Sequence, residues 1–156
     1  MPQARAISSG HGGADGAIEV LICDDIDGIR MLLREVLGLR PGLITVGEAR
    51  DGNEAVEEAR RLQPDVVLLD LSMPHRTGLD ALPEIRAVAP HARILVLSGL
   101  LSPTVRSEAL ALGASGYLMK GADPETIVAA IEEVWSDENP GVPKSATLPA
   151  AAPATT

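Results

Sequence analysis

Five polar residues of this sequence have the types and the spacing to carry out phosphoryl chemistry. Asp24 and Asp25, Asp70, Ser98 and Lys120 come directly after four short apolar runs. Three carboxylates brought together would raise one another's pKa, and a hard divalent cation such as Mg²⁺ relieves that repulsion. A carboxylate beside such a cation and a compact ammonium group could attack a phosphoryl group as a nucleophile.

Each of these residues, taken alone, also has an ordinary structural explanation. An Asp in a loop before a helix is often only a helix cap, Ser98 could be a turn hydroxyl, and Lys120 could be a solvated charge. The occurrence of such groups after four separate apolar runs favours one shared site. Lys120 and Lys144 are the only lysines of the sequence, which otherwise supplies positive charge as arginine.

The apolar runs that carry these residues predict the strands of a parallel sheet. Runs without polar alternation are typical of strands that are covered on both faces, and segments with helical periodicity separate them. This alternation predicts an open α/β sheet with right-handed crossovers, in which ligands bind beyond the carboxyl ends of the strands. The predicted strands are Ile18–Cys23, Leu43–Val46, Asp65–Leu69, Arg93–Leu97 and Gly116–Met119.

Local sequence signals predict where the helices begin. Asp27 is placed to cap the first helix, and Asp51 with Glu54 has capping-box spacing before the second. Pro83 fits the third helix if that helix begins near Asp80, because first-turn N–H groups are unpaired. Two helices are predicted by a capping residue followed by proline, at Ser102-Pro103 and Asp123-Pro124. The apolar face of the first helix is predicted to contain Ile29, Leu32, Leu33, Val36 and Leu37.

The composition excludes several classes of protein. The 156 residues carry a formal net charge of −9, which argues against direct nucleic-acid binding by this chain. A single cysteine, Cys23, excludes an internal disulfide framework. The apolar runs fall far short of the ~20 residues that span a bilayer, and no signal peptide is recognisable at the N-terminus. We therefore expect a soluble cytoplasmic protein that does not act at a membrane.

The folded domain is predicted to cover residues 18–135. Residues 1–17 are rich in Gly, Ala and Ser and predict a flexible arm. Residues 136–156 are rich in Pro and Ala and predict a disordered tail or linker, because such a segment buries too little apolar surface to fold.

Four segments, taken in order, resemble the receiver domain of two-component response regulators. They are Val20–Asp25, Pro64–Pro74 followed by Gly78, Leu95–Ser98, and Gly113–Lys120. The resemblance extends over almost all of residues 18–135 and implies a flavodoxin-like (βα)5 sheet with strand order 2-1-3-4-5. The residue patterns of Val46–Gly52 and Gly113–Tyr117 resemble those of receivers that precede a helix-turn-helix DNA-binding domain. The chain is then either a stand-alone receiver or a fragment of a transcription regulator.

The resemblance also implies a role for each residue of the site. Asp70 would be the phosphoacceptor and a metal ligand. Asp25 would bind Mg²⁺ directly, Asp24 would hold it through water, and the backbone carbonyl of Ser72 would complete the protein ligands. The groups that bind or sense the phosphoryl group would be Lys120, Ser98 and Tyr117.

The implied function is a phosphorylation-dependent switch. Its donor would be a sensor histidine kinase or a phosphotransfer protein, and its output would be contact with a partner, including a homodimer formed on phosphorylation. Such a domain is not an enzyme beyond its own phosphorylation and slow autodephosphorylation, and the apolar Leu100 predicts that the latter is slow. The alternative is a Mg²⁺-dependent phosphohydrolase, which needs a second acid near Asp70, where Ser72 stands instead.

Overall fold

Five strands alternate with five helices in the computed structural model, which describes residues 16–99 and 102–136. The predictions for residues 1–15, for Leu100 and for residues 137–156 therefore lie outside the described residues. The elements in chain order are β1 (Ile18–Cys23), α1 (Asp27–Gly38), β2 (Leu43–Ala49), α2 (Gly52–Leu62), β3 (Val66–Asp70), α3 (Gly78–Val88), β4 (Arg93–Ser98), α4 (Pro103–Ala111), β5 (Gly116–Met119) and α5 (Pro124–Ser136).

The strands form one parallel sheet in the order β2-β1-β3-β4-β5, which confirms the predicted flavodoxin-like fold. Asp70 of β3 lies opposite Leu97 of β4, and Ser98 lies opposite Met119 of β5. The carboxyl ends of β3, β4 and β5 are therefore level, and the groups at these ends share one edge of the sheet.

None of the helices in the described ranges combines the length and apolar character needed to cross a membrane.

Helices cover both faces of the sheet, and each face has its own aliphatic core. Successive residues of β1 alternate between the two cores: Val20 and Ile22 pack on the α1 and α5 side, whereas Leu21 and Cys23 pack on the α2 and α3 side. This is why the strands lack polar alternation, since both faces of the sheet are buried. Leucine, isoleucine, valine and alanine supply most of the contact, because the sequence contains no Phe.

Three helix starts have the predicted caps. Asp51 accepts a hydrogen bond from the N–H of Glu54 at 2.8 Å, and Ser102 accepts one from the N–H of Val105 at 3.3 Å. Asp123 accepts one from a backbone N–H one turn into α5 at 2.8 Å. The box at α2 is displaced by one residue, because Glu54 Oε1 accepts from the N–H of Arg50 rather than from that of Asp51.

The predictions for the first helix were wrong in two respects. Ile26 occupies the cap position of α1 without a side-chain cap, and Asp27 is already helical. The reason is that Asp24 Oδ1 accepts the N–H of Ile26 at 2.9 Å and itself turns the chain. Leu32 is 59% exposed, and the buried face of α1 consists of Leu33, Val36 and Leu37.

The third helix starts earlier than the prediction that accommodated Pro83. Thr77 caps α3 by accepting the N–H of Asp80 at 3.0 Å, and the helix begins at Gly78. Pro83 therefore lies in the helix interior, where proline lacks the N–H that would bond the carbonyl of the preceding turn. Strand ends also shift by a residue at β3 and β4, because Asp70 and Ser98 are the last residues of these strands rather than the first beyond them. The prediction for β2 was short by three residues, since this strand continues past Val46 to Ala49.

Candidate metal centre

Three predicted carboxylates meet at the carboxyl edge of the sheet. Asp24, Asp25 and Asp70 each offer an oxygen, and these oxygens lie within 4.8 Å of one another. Asp24 follows β1 and Asp70 ends β3, and these two strands are neighbours at the centre of the sheet. Asp24 and Asp70 are buried, with 1% and 2% of their surface exposed, whereas Asp25 reaches solvent.

Lys120 is the predicted cation at this edge, and the structure places it between the two buried carboxylates. Its Nζ lies 2.9 Å from Asp24 Oδ2 and 3.3 Å from Asp70 Oδ2. Its backbone N–H donates to the carbonyl of Ser98 at 2.9 Å, which fixes the end of β5 against β4. One ammonium against three carboxylates leaves excess negative charge, and a divalent cation bound by carboxylate oxygens would compensate it. The residues present therefore fit a magnesium site.

The close packing of these charged groups shifts the pKa values of Asp70 and Lys120. Burial raises the pKa of Asp70, and the negative charge of Asp24 raises it further. The hydrogen bond from the Ser72 N–H and the contact with Lys120 lower this pKa, but they do not cancel the first two effects. Burial acts to lower the pKa of Lys120, but its contacts with Asp24 and Asp70 outweigh that effect and raise it. Lys120 is thus held as a cation, and the remaining negative charge of the carboxylates favours the binding of a further cation.

The chain beyond Asp70 is folded back tightly on the end of β3. Ser72 donates its N–H to Asp70 Oδ1 at 3.1 Å, and Gly78 donates its N–H to the carbonyl of Leu71 at 3.0 Å. A Cβ at Gly78 would lie 2.0 Å from the carbonyl oxygen of Asp70. Only glycine allows this approach, so Gly78 fixes the loop from which the Ser72 carbonyl is predicted to bind a metal.

The two predicted switch residues lie on the strands next to Asp70. Ser98 is the last residue of β4 and is 5% exposed, and Tyr117 of β5 is 4% exposed. The Tyr117 ring packs in the aliphatic core on the α2 and α3 side of the sheet. The structure therefore brings Ser98 to the edge that carries the carboxylates and keeps Tyr117 inside the domain.

Sequence reasoning missed Arg30 and Glu48. Arg30 is only 12% exposed, and its Nη1 donates to the backbone carbonyl of Asp24 at 2.8 Å. Its Nε donates to Glu48 Oε1 at 3.0 Å. The sequence assigned no role to Glu48 at the end of β2. Its position beside β1 in the implied strand order was the available signal.

A parallel flavodoxin-like sheet with an acidic pocket bridged by Lys120 at its carboxyl edge is the arrangement that the resemblance to receiver domains implies. The family model described as the response regulator receiver domain matches residues 20–132. The chain therefore belongs to the response regulator receiver family, whose members are signalling domains that switch on phosphorylation. Membership disfavours the phosphohydrolase alternative.

Relatives of two kinds are similar to this chain. It is 37% identical over 115 residues to the chemotaxis protein CheY of Thermotoga maritima, covering 74% of this chain and 95% of that protein. It is 34% identical over 119 residues to the nitrate/nitrite response regulator protein NarL of Escherichia coli, covering 76% of this chain but only 55% of NarL. The chain thus spans nearly all of one relative and about half of the other.

A solved complex of a related protein is also similar in fold. It is the CheX-CheY-BeF3-Mg²⁺ complex from Borrelia burgdorferi, with a TM-score of 0.74 and 26% sequence identity. The match covers 82% of this chain and 97% of that chain.

Proposed function

We propose that this chain is a switch that is set by transfer of a phosphoryl group to Asp70. The donor is a sensor histidine kinase or a phosphotransfer protein. A carboxylate oxygen of Asp70 attacks phosphorus, the P–N bond of the donor phosphohistidine breaks, and the imidazole keeps the bonding electrons. The product is a mixed anhydride on Asp70. The observation that carries this proposal is the contact of Asp70 with both the acidic cluster and the Lys120 ammonium.

The remaining residues of the site would bind Mg²⁺ and orient the phosphoryl group. Asp24, Asp25, Asp70 and the Ser72 carbonyl would hold Mg²⁺, which when bound neutralises charge on the transferring phosphoryl oxygens. Lys120 then leaves Asp70 Oδ2 and pairs with a phosphoryl oxygen, since a compact ammonium is a point charge that can follow the anion.

Phosphorylation changes the domain through a hydrogen bond from the Ser98 hydroxyl to another phosphoryl oxygen. The phosphoryl group adds up to two negative charges and three acceptor oxygens. A hydrogen bond to a charged group contributes about 1.5–3 kcal/mol, so one bond made only in the active state shifts the two-state ratio by roughly 10- to 150-fold. The Tyr117 ring is already turned inward in this structure, and the movement of Ser98 on phosphorylation stabilises that position in the active state.

The output is protein contact in the cytoplasm. The surface formed by α4, β5 and α5 changes shape and binds a partner or a second phosphorylated copy. The similarity to NarL supports control of transcription when such a receiver is joined to a DNA-binding domain. The chain itself does not bind DNA, because the net charge of its 156 residues is −9. It turns over no substrate beyond phosphorylating itself and slowly losing the group.

The decisive experiment is incubation with acetyl phosphate and Mg²⁺ followed by intact-mass measurement. The parent protein gains one phosphoryl group, and Asp70→Asn gains none. Asp80→Asn is the matched control, because Asp80 is an exposed acid of α3 outside the cluster, and it is phosphorylated like the parent. A phosphoryl group on Asp70→Asn, or release of many phosphates per chain from phosphoesters, would contradict the proposal.

Dimer formation is tested by size-exclusion chromatography with and without beryllium fluoride in the presence of Mg²⁺. We expect the apparent mass to increase with beryllium fluoride in the parent and to stay constant in Asp70→Asn. An unchanged elution volume in the parent would restrict the output to contact with a different protein.

A further inference from the structure

We propose that Arg30 is a positioning residue that holds the metal-binding loop between β1 and α1. This inference rests on the proposed function, because it assigns Mg²⁺ to the carboxylates of that loop. In the described contacts, Arg30 bonds to the backbone carbonyl of Asp24 but to none of the carboxylates of Asp24, Asp25 and Asp70. It acts on the backbone of Asp24 and so on the geometry of the ligands.

The contacts of Arg30 explain how one side chain can fix the loop. Its guanidinium group donates to the Asp24 carbonyl at 2.8 Å and to Glu48 Oε1 at 3.0 Å, and it also pairs with Asp27. The Asp24 N–H donates to the carbonyl of Ala49 at 3.0 Å. Asp24 is therefore tied to the end of β2 twice, once directly through its N–H and once through Arg30 and Glu48.

The planar fork of arginine suits this task and an ammonium does not. Arginine carries several N–H donors in a rigid arrangement, so it can bind a carbonyl and two carboxylates at fixed angles. The side chain is 12% exposed, which limits exchange of these bonds with water. Lysine at this position would keep the charge but could not hold the same three acceptors in place.

The positive charge of Arg30 allows its electrostatic effect on Mg²⁺ binding to be distinguished from a positioning effect. A guanidinium group near a cation site repels the cation, so its removal strengthens Mg²⁺ binding if only the electric field matters. Its removal weakens binding if Arg30 acts by holding the ligands in position. Outer-shell partners of metal ligands typically change metal affinity by roughly 10- to 100-fold, so we expect a loss of about tenfold.

The experiment measures cation binding to the unphosphorylated full chain. Free Mn²⁺ is counted by electron paramagnetic resonance, and Mg²⁺ affinity follows from competition. Arg30→Ala and Arg30→Lys are each expected to lose about tenfold in affinity. Arg34→Ala is the matched control, because Arg34 is also on α1 and also pairs with Glu48 but is bonded to no carbonyl of the loop in the described contacts. It is expected to bind as the parent does.

Amide hydrogen exchange supplies a second measurement that a general loss of stability would not mimic. We expect faster exchange confined to the loop that contains Asp24 and Ile26 in both Arg30 variants. If Arg30→Ala does not fold, Arg30→Lys carries the test alone, since it preserves charge and most of the side-chain volume.

The outcomes separate the two levels of the proposal. Failure of the parent to bind Mn²⁺ or Mg²⁺, or undiminished binding by Asp25→Asn, would overturn the metal site itself. Binding by the parent together with equal or tighter binding by Arg30→Ala would overturn only the role of Arg30. Parental affinity in Arg30→Lys, or an equal loss in Arg34→Ala, would also overturn it.

Discussion

At the scale of single residues, the domain contains buried carboxylates in two different settings. Asp24 and Asp70 share the ammonium of Lys120 at the carboxyl edge of the sheet. Asp65 lies just before β3 at the opposite edge and is 0% exposed. One of its oxygens accepts the N–H of Glu19 at 2.8 Å, and the other has no hydrogen-bond partner among the described residues. Burial raises the pKa of Asp65 to about 6.

This raised pKa predicts that Asp65→Asn stabilises the protein at neutral pH. An acid whose folded pKa exceeds its unfolded value near 3.8 favours folding while it is protonated. That benefit is complete below pH 3.8 and is lost as pH rises through about 6. Well above pH 6 the variant should therefore gain up to about 3 kcal/mol in the free energy of unfolding, measured with urea.

The pH dependence is the control for this prediction. The advantage of Asp65→Asn over the parent should shrink as the pH falls from 7.5 toward 4. An advantage of the same size at both pH values, or a less stable variant at pH 7.5, would show that Asp65 does not carry the buried charge.

The residues of the site differ in how far the sequence could predict them. Asp24, Asp25, Asp70 and Lys120 end or follow apolar runs, so the edge they share follows from the parallel sheet. Arg30 could not be predicted in the same way. Its contacts depend on the side-chain path from α1 to Glu48 on β2, and neither periodicity nor spacing encodes that path.

At the scale of elements, the apolar runs located every strand of the described sheet, but the ends of the elements depend on side-chain bonds. Asp24 turns the chain before α1, so Asp27 is not needed as a cap. Thr77 starts α3 earlier than Pro83 alone would indicate. Propensity places an element, whereas capping bonds between specific side chains and N–H groups set its first residue.

The junction between β3 and α3 predicts a strong effect of Gly78→Ala. The new Cβ would lie 2.0 Å from the Asp70 carbonyl oxygen and 3.0 Å from Leu71 Cα, and backbone atoms cannot move aside cheaply. We expect a loss of about 1–3 kcal/mol in the free energy of unfolding and slower phosphorylation by acetyl phosphate. Urea unfolding and intact-mass time courses measure the two effects.

Gly38→Ala is the matched control at the end of α1. A Cβ there meets nothing within 4 Å, so alanine should leave stability unchanged or raise it by up to about 1 kcal/mol. Equal stability of Gly78→Ala and the parent would mean that the tight fold-back after Asp70 is not required.

At the scale of the whole molecule, the two edges of the sheet have separate properties. The carboxyl edge carries the acidic cluster and Lys120, whereas the amino edge carries the start of β4 and the end of α5. Arg93 lies there over the ring of Trp135, with its guanidinium carbon 5.9 Å from the ring centre. Trp135 is the single tryptophan of the sequence, so its fluorescence reports unfolding of the domain from the edge opposite the acidic cluster.

This separation allows the cation to be detected through global stability. A ligand that binds only the folded state stabilises it by RT ln(1 + [L]/Kd), or about 1.4 kcal/mol at ten times Kd. For a domain of this size that gain raises Tm by roughly 5 °C. We therefore expect MgCl₂ to raise the Tm of the parent, followed by Trp135 fluorescence, and EDTA to reverse the increase.

Asp25→Asn distinguishes specific binding from screening of the net charge of −9. Removing one carboxylate relieves repulsion in the cluster, so the variant should be more stable than the parent without Mg²⁺. It should also lose most of the Mg²⁺-dependent increase, so the order of the two proteins reverses as Mg²⁺ is added. NaCl of equal ionic strength should raise both Tm values by the same small amount, because screening does not depend on the ligands. An equal response of parent and variant to MgCl₂ would assign the whole effect to screening and leave the carboxyl edge without a bound cation.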